Sequence, residues 1–263
     1  MAKQNEPKIL ILDIETAPIL ADVWQLWDQN VSLNQIVKDW SILAWAAKWR
    51  GKKKIYYQDT GDQRDVRKDK NILPLLFKLI DEADIIVGQN SKRFDVPKIN
   101  ARFIINKTKG HSIPSGYRHH DTMLMAKSKY GFTSFKLEYM AKALGLKNQK
   151  MVQREFSGHD LWRECLQGNK KAWREMRKYN PMDLKTTEEL YEVLLVNDSF
   201  INFNAFNDNN ENKCTCGSFV VFKLGFRYTN TGKFQAYLCK GCGKRWQSKN
   251  NLLTKIKRRD MVR

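Results

Sequence analysis

Long apolar runs are missing from this 263-residue chain; none approaches the ~20 consecutive apolar residues that a membrane-spanning helix needs. No hydrophobic stretch of the secretory type follows the opening MAKQNEPK, so an intracellular, cytoplasmic protein is expected. Cysteine is scarce. Of the five present, four stand in two close pairs, Cys214/Cys216 and Cys239/Cys242. Without a secretory signal such pairs point to metal ligands ahead of disulfides. Cys165, alone in the helical pattern LWRECL, reads as a small buried residue. Acids all but vanish from the C-terminal part. From Cys214 to Arg263 there are twelve Lys or Arg against one acid, Asp260, a net of +11 out of the chain's +19. The other +8 is spread over 213 residues. So local an excess suits a polyanion, and with no amphipathic anchor nucleic acid is favoured over a membrane face.

Aromatics at 11% and apolar residues at 42% describe a globular chain, long enough for one sizeable core and a small second unit. The chain is organised around ILILDIETAP, residues 9–18. Four apolar residues run into Asp13, with Glu15 one residue beyond, and in a strand alternate side chains share a face. A strand over residues 8–13 would hold the two carboxylates together at its end. Like charges held that close ask for a cation between them. Alone, D-x-E also fits a solvated acidic turn, and only later segments decide between the two.

Farther along, Trp24 and Trp27 at helical spacing read as packing residues. WSILAWAAKW and KIYYQD around RGKK predict two antiparallel strands and a tight turn. Leu73, Leu76, Phe77 and Ile80 mark a helix, ADIIVGQN a short buried strand, and Val96, Ile99, Phe103 and Ile104 a helix with Asp95 at its start. A strand over 117–120 follows, with Asp121 as a helix cap. His119 and His120, on opposite faces of that strand, make a poor chelate. The remainder to Tyr191 is helical, with Glu188 and Glu189 as solvated surface and a last helix starting near Tyr179. That start places Pro181 in the first turn, where proline is tolerated. The alternation predicts an α/β fold with a mixed sheet flanked by helices over residues 1–200. An asparagine-rich linker spans 201–213, and a small β module with a basic tail spans 214–263.

Asp13 and Glu15 gain meaning from Asp95 and Asp183: four carboxylates from three segments, each at an element boundary, suit two hard divalent ions. Here the sequence resembles the DEDD 3′–5′ exonucleases of the RNase H-like superfamily, which include DnaQ-like proofreading domains. ILILDIETAP is similar to the first motif. GQNSKRFDVPKI resembles the second, through Asn90, Phe94 and Asp95. YNPMDLKTTEELY resembles the third in its tyrosine form, through Tyr179 and Asp183. The resemblance spans about residues 8–195. It implies a two-metal phosphodiesterase in which Asp13, Glu15, Asp95 and Asp183 hold Mg²⁺ or Mn²⁺ and Tyr179 orients the attacking water. Asn90, Phe94 and Thr16 would contact the 3′-terminal nucleotide.

CTCGS and CKGCGK, with Gly217 and Gly243 after each second cysteine, flank an alternating segment that turns at 229–232. This resembles a zinc ribbon, with one structural Zn²⁺ on Cys214, Cys216, Cys239 and Cys242. Lysines and arginines, Lys244 and Arg245 among them, interleave with aromatics, as a grip on single strands would require. The expected partner is nucleic acid, single-stranded DNA or DNA 3′ ends, with a replication or repair protein partner left open. Arrangement and basicity also look like nucleases encoded by tailed phages. An exoribonuclease and an inactive nucleic-acid-binding module remain the competing readings.

Overall fold

The computed structural model describes residues 7–148, 155–198, 201–206 and 214–261. The chain divides into two compact units: Lys8–Tyr191, and a second formed mainly by Glu192–Arg263.

The larger unit is built on a five-stranded mixed sheet in the order β5-β4-β1-β6-β7. Strand β1 (Ile9–Thr16) is central, and β2 (Leu20–Ala21) pairs with β3 (Ile36–Lys38) in a short separate ladder. Strands β4 (Ile42–Trp49) and β5 (Ile55–Asp59) form the expected antiparallel hairpin, with β4 pairing antiparallel to β1 and β5 at the sheet edge. Strands β6 (Ile85–Gly88) and β7 (Arg118–Asp121) continue parallel on the other side. Even-numbered Leu10, Leu12 and Ile14 of β1 pack with α1 (Leu73–Asp81) and α2 (Asp95–Ile105). The opposite side is covered by α5 (Asp160–Leu166) and α6 (Lys170–Leu195), whose Leu161, Cys165, Ala172, Trp173 and Met176 pack with Leu43 and Ala44. Helices α3 (Thr122–Lys129) and α4 (Leu137–Ala143) lie between in sequence. This is the RNase H-like α/β arrangement, with an apolar sheet buried on both faces.

Buried Asp69 joins two of these layers. Its carboxylate accepts the Ile42 amide at 3.0 Å, two nitrogens of the Arg102 guanidinium at 2.6 and 2.8 Å, and Asn106 Nδ2 at 3.0 Å. Charge here is tolerated because each oxygen is paired and hydrogen-bonded.

Four sequence expectations change. Strand β1 runs through Thr16, so Asp13 and Glu15 lie within it, paired opposite Ala46 and Ala44. Trp24 and Trp27 are 97% and 81% exposed; no helix forms there, and Asp28 interrupts the pattern at φ 53°. Pro181 lies inside α6, which begins nine residues before Tyr179. Proline there removes the amide that would pair with the Arg177 carbonyl, at a cost of about 3 kcal/mol. Packing offsets it: Ala172, Trp173 and Met176 are buried before the proline, and Leu184, Leu190 and Tyr191 after it. Glu188 and Glu189 are anchors. Glu188 pairs with the Lys48 ammonium and accepts the Gly51 amide, while Glu189 accepts the amides of Lys147 and Asn148.

In the smaller unit β8 (Val221–Thr229), β9 (Gly232–Cys239) and β10 (Arg245–Gln247) form a three-stranded antiparallel sheet, followed by the short helix α7 (Lys255–Arg259). The hairpin turns between Thr229 and Gly232. Part of the expected linker belongs to this unit. Ile201 and Phe203 are buried, and the Phe203 amide donates to the Thr215 carbonyl. A module this small gains from borrowed apolar surface. Residues 207–213 of that stretch lie outside the described residues.

Candidate active site and cysteine cluster

Strand periodicity turns Asp13 and Glu15 to the side of the sheet that meets α5 and α6. Directly across β4, Ala46 and Ala44 share that face, and their small side chains leave room for two carboxylates. Asp95 enters from the first turn of α2, where its Oδ1 accepts the Ile14 amide at 3.1 Å, so motif two is tied to motif one. Asp183 comes from α6 one helical turn after Tyr179, and i, i+4 residues share a helix face. Asp13, Tyr179, Asp183 and Asn90 line a cleft of about 610 Å³, together with Gln89, Lys127 and Lys136. Glu15 and Asp95 are buried and do not line it.

The electrostatics show that these acids form one group. Burial lifts the Asp13 carboxyl well above its ordinary value, and the charges of Glu15, Asp95 and Asp183 push it the same way. Burial also pushes Asp95 up to about 7, against the amide of Ile14 that favours its charged form. A cluster of oxygen donors that resist joint ionisation is relieved by hard divalent cations. The donor set therefore fits the metals expected from sequence.

Two residues that hold the acids escaped the sequence reading. Asn180 Nδ2 donates to Asp13, and Trp162 Nε1 donates to Glu15 at 3.0 Å. Asn180 stands three residues before Asp183, a helical spacing that could have flagged it. Trp162 carried no such signal. Its ring also meets Tyr179 edge-on at 6.1 Å, so one indole positions a carboxylate and the tyrosine.

Asp121 is a scaffold residue. Its Oδ1 accepts the amides of Asn90, Met123 and Leu124 at 3.1, 2.9 and 3.2 Å, and its Oδ2 accepts that of Lys92 at 3.0 Å. It caps α3 and fixes the turn that presents Asn90, which stands at φ 58°. His119 meets the Ser91 hydroxyl and His120 the Tyr191 hydroxyl, each at 2.9 Å, so the tandem histidines face apart. Phe94, exposed, and Thr16, half-buried, do not line the cleft.

In the smaller unit the sulfurs of Cys214, Cys216, Cys239 and Cys242 lie within 4.8 Å of one another. The separations Cys214–Cys242 and Cys216–Cys239 are 3.5 and 3.7 Å, too long for a disulfide. They are close to the ~3.8 Å edge of a tetrahedron with sulfurs ~2.3 Å from zinc. Gly217 and Gly243, at φ 89° and 73°, let the chain fold back behind each pair. The amides of Cys216, Ser218 and Cys242 donate to the sulfurs of Cys214, Cys216 and Cys239. Such N–H···S bonds favour thiolates, so the cluster can hold a metal ion. Lys244 is held within the smaller unit. Its ammonium is engaged by the Asp198 carbonyl at 2.6 Å and the Thr215 hydroxyl at 2.9 Å, a structural tie, whereas Arg245 is exposed.

No curated protein matches the chain. Among solved structures, the family B DNA polymerase from the hyperthermophilic archaeon Pyrobaculum calidifontis is similar at TM-score 0.49 and 16% identity over 72% of this chain. The chain spans 25% of that polymerase's length. A model of the RNase_H_2 family, of the RNase_H superfamily, matches residues 41–195, which include Asp95, Tyr179 and Asp183 and follow Asp13 and Glu15. That match covers more than half of the chain, which therefore belongs to the RNase H superfamily.

Proposed function

We propose that the protein is a metal-dependent 3′–5′ exonuclease of single-stranded DNA, with a structural zinc ribbon at its C-terminal end. The observation that carries this reading is the convergence of Asp13, Glu15, Asp95 and Asp183 from three segments, with Tyr179 one turn before Asp183 at the same cleft. These four carboxylates would hold two Mg²⁺ or Mn²⁺ ions, which when bound stabilise charge on the attacking and leaving oxygens of a phosphodiester. Cys214, Cys216, Cys239 and Cys242 would hold one Zn²⁺.

The chain's own groups do the rest. Asn180 and Trp162 fix the orientation of Asp13 and Glu15, as outer partners of metal ligands do. Tyr179, held edge-on by Trp162, orients the attacking water. Lys127 and Lys136 line the cleft and offset phosphate charge, while Asn90 contacts the terminal nucleotide. Phe94 and Thr16 are assigned to the same terminal nucleotide on motif resemblance. The cleft is of small-molecule size, room for a nucleotide or two and not for a duplex.

A time course on 3′- and 5′-labelled single strands of DNA and RNA, with Mg²⁺ and with EDTA, tests the proposal. Release of mononucleotides from the 3′ end, lost in EDTA and in Asp13→Ala, is expected. Tyr179→Phe should lower kcat by about 10²-fold while leaving Mg²⁺ affinity in place, since it misplaces a water and removes no ligand. Folded protein that binds strands yet releases nothing would refute the enzyme and leave a binding module.

A further inference from the structure

Strand β8 carries its aromatics on both faces because of one extra residue. Lys223 pairs with Tyr237 and Phe226 with Gln235, so three steps on β8 oppose two on β9. Gly225, at φ 86°, is the residue that allows this bulge, and Gln235 Nε2 donates to its carbonyl at 2.6 Å. In an unbroken strand Phe226 and Tyr228 would follow Phe222 and Leu224. The bulge instead turns them to the face of Lys223, Lys233, Gln235 and Tyr237. Ring–cation distances agree with that register. Lys233 Nζ lies 4.0 Å from the Phe226 ring centre and 5.9 Å from that of Tyr228. On the same face Tyr237 and Trp246 stack at 5.5 Å with planes 22° apart. Phe226 is 47% and Tyr228 69% exposed, so both rings are open to a ligand.

We infer that this face of the smaller unit is a single-strand nucleic-acid platform, on which bases stack over Phe226 and Tyr228 while Lys223 and Lys233 meet the phosphates. The occupant follows from charge and shape together. The segment from Cys214 onward carries a net +11, which suits a polyanion. Exposed flat rings flanked by cations take unpaired bases, whose faces a duplex hides. A strand-holding surface on β8 and β9 of the smaller unit extends the nuclease proposal beyond the cleft. Lys244 has no part in it.

The test uses the full-length, zinc-loaded chain and fluorescently labelled thirty-residue oligothymidine in chelator-free buffer lacking Mg²⁺ and Mn²⁺, so that binding is read without cleavage and the zinc stays in place. Phe226→Ala/Tyr228→Ala should weaken binding at least tenfold, since one base stack is worth roughly 5- to 150-fold. Tyr228→Trp should keep it. Lys223→Ala should lower the slope of log affinity against log salt by about 0.7, the increment for a single neutralised phosphate on a single strand. Phe222→Ala/Leu224→Ala, on the opposite face, should leave affinity within twofold. Zinc content and far-UV circular dichroism confirm that each variant is folded. Unchanged affinity in the Phe226/Tyr228 variant, an equal loss from the opposite face, or no binding by the wild type would each overturn the inference. Hydrolysis of the nitrophenyl ester of thymidine monophosphate is measured in parallel, because it needs the cleft and no platform. Its absence with binding intact would count against the nuclease proposal alone.

Discussion

Asp121 offers the sharpest separation of a scaffold acid from a ligand acid. It is buried within the same neighbourhood as Asp95, whose proton affinity it helps raise, yet its two oxygens already accept four amides. In Asp121→Ala the α3 cap is lost, about 1 kcal/mol. The amides of Asn90 and Lys92 lose their acceptor, at about 1–3 kcal/mol each where water cannot replace it. Asn90 lines an open cleft, so water recovers part of that loss and a total of about 3 kcal/mol is expected. For a unit of this size each kcal/mol moves Tm by about 2–4 °C, hence a drop of roughly 6–12 °C. Asp121→Asn keeps one carbonyl oxygen for three amides and should lose about half as much. The assay is a thermal scan by circular dichroism, paired with Mg²⁺ titration by calorimetry. A scaffold role predicts a lower Tm with Mg²⁺ binding retained below the transition. Asp13→Asn should do the reverse: little loss of Tm and a large loss of Mg²⁺ affinity. Unchanged Tm with abolished Mg²⁺ binding in Asp121→Ala would refute the reasoning and make Asp121 a ligand.

Three further outcomes follow from the same geometry. Asp95 is raised to about 7 by burial, so the stability of its protonated form is present below about pH 4 and is lost as pH rises toward 7. The metal-free protein should accordingly lose Tm over that window, and stabilisation by Mg²⁺ should grow from pH 5 to pH 8, a trend that Asp95→Asn flattens in paired thermal scans. A zinc chelator, or Cys239→Ser, should unfold the smaller unit, read as loss of the Tyr237–Trp246 stack by near-UV circular dichroism, while hydrolysis of the nitrophenyl ester persists. Asp69→Ala strands the Arg102 guanidinium and the Ile42 amide in the core and should cost about 3–5 kcal/mol, measured by urea unfolding.

Local chemistry determined much of this protein by itself. Apolar runs of strand length, a D-x-E inside the first, helical spacing after GQN and Y-x3-D each depend on a few neighbouring residues, so the sheet, the four acids, Tyr179 and the paired cysteines were legible without coordinates. The hairpin between Thr229 and Gly232 was legible for the same reason. What depended on residues distant in sequence was not. Pro181 sits mid-helix because packing on both sides of it outweighs the local cost, which no local rule could weigh. Asp69, lost in a charge-rich stretch, became a buried junction only when Arg102 and Asn106 arrived on α2. Trp162 reaches Glu15 across 147 residues, and Lys244 spends its charge on the Asp198 carbonyl and Thr215. Trp24 and Trp27 keep helical spacing, yet no helix formed to bury them. The bulge at Gly225 shows the division most plainly. The aromatics were visible in the sequence, but which face of the sheet they serve was set by one residue's register against β9, a property of the pair of strands and of neither alone.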